Sequence, residues 1–205
     1  MECQSDNSDS MIRKETHDEK LVEKLAYHYR EIIRLIGEDP DREGLVKTPV
    51  RAAKAIVDIT SGYRKDPLAI AQKAIFEHGG SQIVIVKGIE FYSVCEHHIL
   101  PFFGTVSVGY IPKGKMIGLS KLARIVDCFA RRLQVQERLT AEVCSLLSRA
   151  LPNDGVIVYC SAQHLCMKMR GVEKQDSSTT TFDFTGRFAD DPSLRAEFLS
   201  LLRQS

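Results

Sequence analysis

The strongest constraint on the fold is a change in hydrophobic period at Gln82. Upstream of it, apolar residues recur at helical spacing, whereas downstream the pattern predicts strands, then two helices, then strands again. The predicted strands span 82–87, 89–94, 104–111, 155–164 and 178–184, and the predicted helices span 120–132, 136–151 and, near the end of the chain, 191–202. This order predicts an α+β domain in which a helix pair packs on one face of a sheet.

The residues before this domain predict a helical extension. Leucine and isoleucine recur at helical spacing over 21–36, and Gly37 ends the run. The pair Thr48-Pro49 is typical of a helix start and precedes a second predicted helix over 50–60. We therefore divide the chain into a mobile acidic tail (1–17), a helical extension (18–80) and a main domain (81–205).

The composition is that of an ordinary soluble globular protein. Hydrophobic residues make up 43% of the chain and charged residues 27%, which excludes wholesale disorder. The longest apolar runs are strand-sized, so we expect no membrane association, and the polar N-terminus lacks the apolar core of a signal peptide. We therefore expect a cytoplasmic protein whose six cysteines are thiols or metal ligands rather than disulfides.

Charge is distributed unevenly along the chain. The formal net charge is only +1, which argues against a nucleic-acid-binding protein. Between Lys113 and Arg138, however, seven basic residues stand against two acidic ones. A local basic cluster on a nearly neutral protein suits a small polyanionic ligand. The charge pattern alone leaves open the alternative that this cluster is a solvated helix face.

Two short segments predict a metal site. Cys95 and His98 are three positions apart, so a turn can direct a thiolate and an imidazole towards one centre. His164 and Cys166 end a predicted strand and, being two positions apart, share one of its faces. Cys95, His98 and Cys166 together form a Cys₂His set, which leaves one tetrahedral position open as in catalytic zinc sites. The alternative for Cys166 is a small buried hydrophobe, a role that suits Cys144 better.

Two histidines, His97 and His164, remain beside the predicted ligands. An imidazole that does not bind the metal can transfer protons close to neutral pH. The alternative for each of them is a hydrogen-bonded structural histidine. Two such residues next to two predicted ligands favour the functional interpretation.

A third group predicts a phosphate-binding site. Ser120 is placed at the N-cap of the first helix of the pair, where backbone N–H groups and the positive end of the helix dipole face outward. Lys121 and Arg124 add positive charge there, and Arg51 and Arg170 are further candidates for phosphate contacts. No Walker motif is present, so nucleotide hydrolysis of the P-loop kind is not expected. The alternative for each cation is solvent exposure.

Glu137 lies in the first turn of the second helix of the pair. A carboxylate there interacts favourably with the helix dipole, which is its structural alternative. In a functional role it can accept two hydrogen bonds from an N–H/NH₂ edge such as that of guanine.

Four motifs resemble those of the zinc-dependent GTP cyclohydrolase I family, and the similarity runs from about Leu21 to Leu202. The motifs are CEHHILPFFG (95–104), GLSKLARIV (118–126), RRLQVQERLT (131–140) and QHLCMKMRGV (163–172). The resemblance implies the tunnelling fold, in which antiparallel strand-strand-helix-helix-strand-strand subunits join edge to edge into a multi-subunit β-barrel. It also implies a homodecamer whose active sites are shared between subunits.

The same resemblance implies a reaction in which GTP and water give formate and 7,8-dihydroneopterin triphosphate, the first step of folate or tetrahydrobiopterin biosynthesis. The implied Zn²⁺ ligands are Cys95, His98 and Cys166. The implied proton-transferring groups are His164 at the purine ring nitrogen and His97 at the ribose, with Ser120 assisting the later rearrangement. The implied substrate contacts are Glu137 and Gln136 to guanine, and Ser120, Lys121, Arg124, Arg170 and Arg51 to the ribose and triphosphate.

Two alternative functions remain at this point. Another zinc-dependent purine or pterin enzyme of the tunnelling fold would share the architecture but not the combination of GLSK with QVQER. A non-enzymatic zinc-binding module would require four metal ligands, whereas three are found. A zinc nucleobase deaminase is disfavoured because its H-x-E and P-C-x-x-C signature is absent.

Overall fold

The computed structural model describes residues 17–204, so the predicted acidic tail lies outside the described residues except for His17. The chain divides into two compact units between Val57 and Asp58. Helices come first and the order strand-strand-helix-helix-strand-strand follows, which confirms the predicted mixed α+β class. No described helix combines the length and the apolar content that a membrane crossing requires.

The first unit is built on the helices α1 (Glu19–Leu35) and α2 (Thr48–Ile59). Helix α1 begins after Asp18, whose carboxylate accepts hydrogen bonds from two backbone N–H groups of the first turn. The apolar contact within this unit is made by Val22, Ala26 and Ala53. Both helices therefore form where the helical spacing predicts them.

Short elements open the second unit. They are a 3₁₀ helix (Ser61–Arg64), α3 (Pro67–Gln72) and β1 (Ile75–Glu77). Strand β1 pairs antiparallel with β4 (Lys115–Ile117) in a separate two-stranded sheet. None of these elements was predicted, because segments of three to six residues are too short to establish a hydrophobic period.

The main sheet has five strands in the order β5-β2-β3-β6-β7. Their bounds are β2 (Val84–Cys95), β3 (Pro101–Pro112), β5 (Leu133–Gln134), β6 (Asn153–His164) and β7 (Thr179–Gly186). All neighbours are antiparallel except β5, which pairs in parallel with the end of β2. The predicted segments 82–87 and 89–94 form one strand, because a register shift between Val86 and Ile89 accommodates the two residues between them.

The helix pair α4 (Leu119–Ala130) and α5 (Gln136–Ala150) covers one face of this sheet, as predicted. The core beneath it is apolar and includes Phe91, Phe102, Val106, Leu122, Ile125, Leu139, Val143 and Val158. On the opposite face a smaller core forms around Phe188 of α7 (Arg187–Asp190) and Phe198 of α8 (Pro192–Arg203). The short helix α6 (Leu165–Lys168) follows β6 directly.

The register of the sheet brings the two predicted metal-binding segments to one end of it. Strand β3 starts beside the end of β2, where Val94 pairs with Pro101. One residue further along β3, Phe102 pairs with His164 at the end of β6. The turn between β2 and β3 and the residues that follow β6 therefore meet at this end of the sheet.

Candidate metal centre and active site

The first two predicted ligands lie on a tight turn that connects β2 to β3. The turn is closed by a hydrogen bond from the Cys95 N–H to the Leu100 carbonyl at 2.8 Å. Ile99 has a φ of +53°, which is unusual for a β-branched residue, and its N–H donates to the Cys95 carbonyl at 2.8 Å. Such strain concentrates at functional sites. The turn places Cys95 Sγ 3.7 Å from His98 Nδ1.

Cys166 completes a group that could hold a metal ion. One ligand atom from each of Cys95, His98 and Cys166 lies within 4.8 Å of the other two. Among the described residues, no other group of His, Cys, Asp and Glu side chains meets this condition. Cys95 is buried, Cys166 half-buried and His98 exposed, so the group opens towards the surface on one side. The predicted meeting of these three residues is thereby confirmed.

The route by which Cys166 reaches this group differs from the prediction. The strand β6 ends at His164, and Cys166 lies in α6 rather than on a strand. The alternation of side chains along a strand therefore does not apply to it. The helical turn after the strand carries its thiol to Cys95 and His98 instead.

The geometry of this donor set suits a tetrahedral metal ion. Zinc bonds to sulfur and to imidazole nitrogen of about 2.3 and 2.0 Å place the two ligand atoms roughly 3.5 Å apart in a tetrahedron. The separation of 3.7 Å between Cys95 Sγ and His98 Nδ1 is close to this value. Without a cation, burial and then the adjacent Cys95 raise the pKa of the Cys166 thiol. A divalent cation reverses this effect, because a coordinated thiol is deprotonated.

His164 is held next to this group by two contacts. Its ring lies parallel to the ring of Phe102, with centroids 4.7 Å apart. Its Nε2 is 2.9 Å from Oε1 of Gln136, the first residue of α5. Removal from water lowers the pKa of His164, and the charge of Glu137 opposes this effect. The sequence thus identified the residue but not the contacts that orient it.

Gln136 is placed differently from the expectation that it binds guanine. Its side chain is buried, and its amide Nε2 donates to the carbonyls of Cys160 and Thr179 and to the hydroxyl of Thr181. All of its amide hydrogen bonds are therefore made within the protein. The amide donors are engaged by backbone carbonyls of β6 and β7, and the amide oxygen faces His164, so no amide proton of this buried side chain is left to bind guanine.

The candidates for substrate contacts lie in the first turns of the helix pair and after α6. Glu137 is exposed in the first turn of α5, as predicted. Ser120 and Arg124 are exposed on α4, Lys121 is half-buried, and Arg170 is exposed beyond α6. Arg51 lies on α2 in the first unit.

The predicted N-cap role of Ser120 is wrong. The N-cap of α4 is Gly118, which has no side chain to bond to the N–H groups of the first turn, and Ser120 is the second residue of the helix. The predicted helix began one residue too late, since serine is a strongly preferred N-cap residue and the sequence does not show that Gly118 takes this position. The Ser120 hydroxyl is consequently not committed to capping.

Two residues near the turn between β2 and β3, Glu96 and Arg138, were not singled out from the sequence. The Arg138 guanidinium of α5 donates to both carboxylate oxygens of Glu96, at 2.6 and 2.9 Å. This hydrogen bonding lowers the pKa of Glu96. His97 Nε2 lies 3.8 Å from the same carboxylate. The ion pair of Arg138 with Glu96 connects the loop between β2 and β3 to the first turn of α5. A sequence pattern could not predict it, because the two residues are far apart in the chain.

Comparison with known proteins agrees with this arrangement. The family model of GTP cyclohydrolase I matches residues 25–203. GTP cyclohydrolase 1 of Porphyromonas gingivalis is 55% identical over 188 residues, which cover 92% of this chain and 97% of that protein. The protein of the same name from Bacteroides fragilis is 52% identical over 194 residues, covering 95% of this chain and 100% of that protein.

A solved apo structure of the archaeosine synthase QueF-Like covers 53% of this chain at 21% identity, with a TM-score of 0.42, which is too low for a comparison of folds. The family match, by contrast, spans nearly all of the described residues and contains every residue of the candidate metal centre. The chain therefore belongs to the GTP cyclohydrolase I family.

Proposed function

We propose that the protein is a zinc-dependent GTP cyclohydrolase, which converts GTP and water into 7,8-dihydroneopterin triphosphate and formate. Two observations support this proposal: the family match over residues 25–203, and the Cys95, His98 and Cys166 group within it. Two thiols and an imidazole are a ligand mixture that zinc prefers. Three protein ligands leave the fourth tetrahedral position to water or substrate, which is the pattern of a catalytic rather than a structural site.

In this proposal the metal site activates water, and the histidines transfer protons. Zinc in this site would lower the pKa of a coordinated water to roughly 7, which supplies the nucleophile for hydrolysis at C8 of guanine. We assign to His164 the protonation of the adjacent ring nitrogen, which assists opening of the five-membered ring. We assign to His97 proton transfer at the ribose oxygen. His97 is exposed beside Glu96, and this leaves its ring accessible to a ligand.

The guanine ring is bound by Glu137 in this proposal. Its exposed carboxylate can accept two hydrogen bonds, which matches the N1–H and N2–H₂ donors of guanine. It lies one residue after Gln136, which contacts His164, so a guanine held by Glu137 is brought close to the metal centre. Gln136 itself is reassigned from substrate binding to the positioning of His164.

The triphosphate is bound by the basic residues in this proposal. Lys121 and Arg124 lie in the first two turns of α4, whose positive dipole end favours anions. The uncommitted hydroxyl of Ser120 fits a role in the rearrangement of the ribose. Arg170 and Arg51 are proposed as further phosphate ligands on the family resemblance.

We also propose that the protein forms the homodecamer and shared active sites that the family resemblance implies. Strand β7 has a neighbour on one side only, and β5 covers only Val94 and Cys95 of β2. Both long edges of the sheet therefore carry backbone groups without a strand partner among the described residues. Edge-to-edge pairing with further copies in a β-barrel would satisfy these groups. We propose a cytoplasmic location for the assembly.

The decisive experiment incubates the purified, zinc-loaded protein with GTP. The expected products are formate and a pterin that becomes fluorescent after oxidation, with about one zinc per subunit by metal analysis. Zinc binding without any product from GTP would favour a non-enzymatic zinc module. Turnover of a pterin substrate but not of GTP would favour a different enzyme of the tunnelling fold.

A further inference from the structure

We propose that Gln136 is a positioning residue that fixes His164 in the tautomer with its proton on Nε2. The other ring nitrogen, Nδ1, is then the atom left to face the substrate. The orientation of the ring and its tautomer follow from hydrogen bonds within the protein. The role of Nδ1 toward GTP additionally rests on the proposed function.

The first step is the orientation of the Gln136 amide. Its side chain is 1% exposed, so water does not compete for its hydrogen bonds. Nε2 lies 3.1 Å from the Cys160 carbonyl oxygen and 3.0 Å from that of Thr179. A carbonyl oxygen cannot donate a hydrogen bond. If the amide were reversed, its oxygen would face both of these carbonyls without a proton between them, a costly arrangement in a buried site.

The neighbouring hydroxyl groups fit the same orientation. The Thr140 hydroxyl donates to the Gln136 backbone carbonyl at 2.8 Å. Because its single proton is used there, the 2.6 Å contact between Thr140 and Thr181 requires the Thr181 hydroxyl to donate. Thr181 Oγ1 then accepts from Gln136 Nε2 at 3.2 Å. The two protons of Gln136 Nε2 thus serve three acceptors, one proton being shared, and the Thr140 and Thr181 hydroxyls each donate once.

The second step is the tautomer of His164. With Nε2 of Gln136 engaged by the strands, its Oε1 faces His164 Nε2 at 2.9 Å. An amide oxygen only accepts, so His164 Nε2 carries the proton in this contact. The ring cannot easily flip to offer its other nitrogen, because it lies within 2° of parallel to the buried ring of Phe102.

The consequence concerns which nitrogen of His164 meets the substrate. With Nε2–H bonded to Gln136, no described residue bonds to Nδ1, and this nitrogen is left to face a ligand. His164 therefore contacts a substrate through Nδ1 while the Nε2–H bond to Gln136 persists. Gln136 acts through His164 and does not touch the substrate.

The direct test locates hydrogen atoms by neutron diffraction on the wild-type zinc-loaded protein, exchanged into D₂O at mildly alkaline pD. We expect deuterium on His164 Nε2 and the Gln136 amide deuterons directed at the Cys160 and Thr179 carbonyls. Deuterium on Nδ1 alone, or a reversed Gln136 amide, would overturn the inference. This measurement requires no turnover, so its result is independent of whether GTP is the substrate.

A kinetic test compares two buried glutamines of the same segment. Gln136→Met removes the acceptor of His164 at nearly constant length, and we expect kcat for GTP to fall by about 10²-fold with little change in KM. Gln134→Met is the matched control, because Gln134 is equally buried but its amide bonds to Phe129 and Glu142. Its kcat should stay within about twofold of wild type.

Equal losses of kcat in both variants, or full kcat in Gln136→Met, would contradict the positioning role. If Gln136→Met does not fold, the neutron result decides alone. Failure of the wild-type protein to convert GTP would overturn the proposed function but would leave the assignment of the tautomer to the diffraction experiment.

Discussion

The imidazole ring of His164 lies flat on the ring of Phe102, with the centroids 4.7 Å apart and the planes 2° from parallel. The two residues are partners in the register between β3 and β6, and Phe102 is fully buried in the core under the helix pair. Since a slip of one residue turns a side chain to the opposite face of a sheet, the register itself determines on which side His164 lies. The register between β3 and β6 thus places both Phe102 in the core and His164 in the proposed proton-transfer site.

Replacing His164 should separate chemistry from binding. In His164→Ser we expect zinc and GTP binding to persist, because the metal ligands and the proposed substrate contacts lie on other residues. Formate release should slow by about 10²–10⁴-fold, the usual cost of losing a positioned acid or base. Metal analysis, GTP binding and single-turnover formate release on one sample measure all three properties. Loss of zinc would make His164 a ligand or a structural support, and undiminished formate release would leave it no catalytic role.

The metal assignment is tested by a pair of cysteine variants. Cys166→Ala removes one of three ligands, so metal content and turnover should be lost together. Cys144 is fully buried in the main core and is not one of the three grouped residues, so Cys144→Ala should retain both metal and activity at a modest cost in stability. Zinc analysis and GTP turnover are measured on each variant. Full activity of zinc-free Cys166→Ala protein would be incompatible with the assignment.

Much of the fold is predictable from the sequence because long elements give clear periods. The helices of the pair, β6 and α8 lie within two residues of their predicted bounds. The grouping of Cys95, His98 and Cys166 is predictable because Cys95 and His98 are close in sequence and form a combination typical of metal sites. Cys166 joins this group as predicted, but from the helix α6 rather than from a strand face.

The remaining features depend on contacts between residues that are distant in sequence. The bond between Gln136 and His164 and the ion pair of Arg138 with Glu96 arise only when α5 packs beside the end of the sheet. From the sequence alone Gln136 is therefore expected to bind guanine together with Glu137, whereas its side chain is buried and hydrogen-bonded to His164. Helix ends are also weakly encoded, which is why Ser120 was wrongly predicted to be a cap.

Recognition of guanine is tested at Glu137. In Glu137→Gln the amide nitrogen presents a donor where the guanine edge requires an acceptor, and the charge assistance is lost. We expect GTP binding to weaken by about 1–3 kcal/mol, or roughly 5- to 150-fold. Binding is measured by isothermal titration, with Glu90→Gln as the control, an exposed glutamate in mid-strand on β2. Equal GTP affinity in Glu137→Gln and wild-type protein would exclude the proposed contact.

Thiol reactivity should distinguish the metal ligands from the core cysteines. Burial raises the pKa of both Cys144 and Cys160 to about 12, so at mildly alkaline pH almost all of either thiol is protonated and unreactive. We expect iodoacetamide to leave both unmodified in the folded protein, with or without metal. Cys166 is half-buried, and we expect it to be protected when zinc is bound and alkylated after chelation. Peptide mass spectrometry before and after metal removal gives the extent of modification at each site. Alkylation of Cys166 at the same rate in both states would show that it does not bind the metal, and modification of Cys144 in the folded protein would contradict its place in the core.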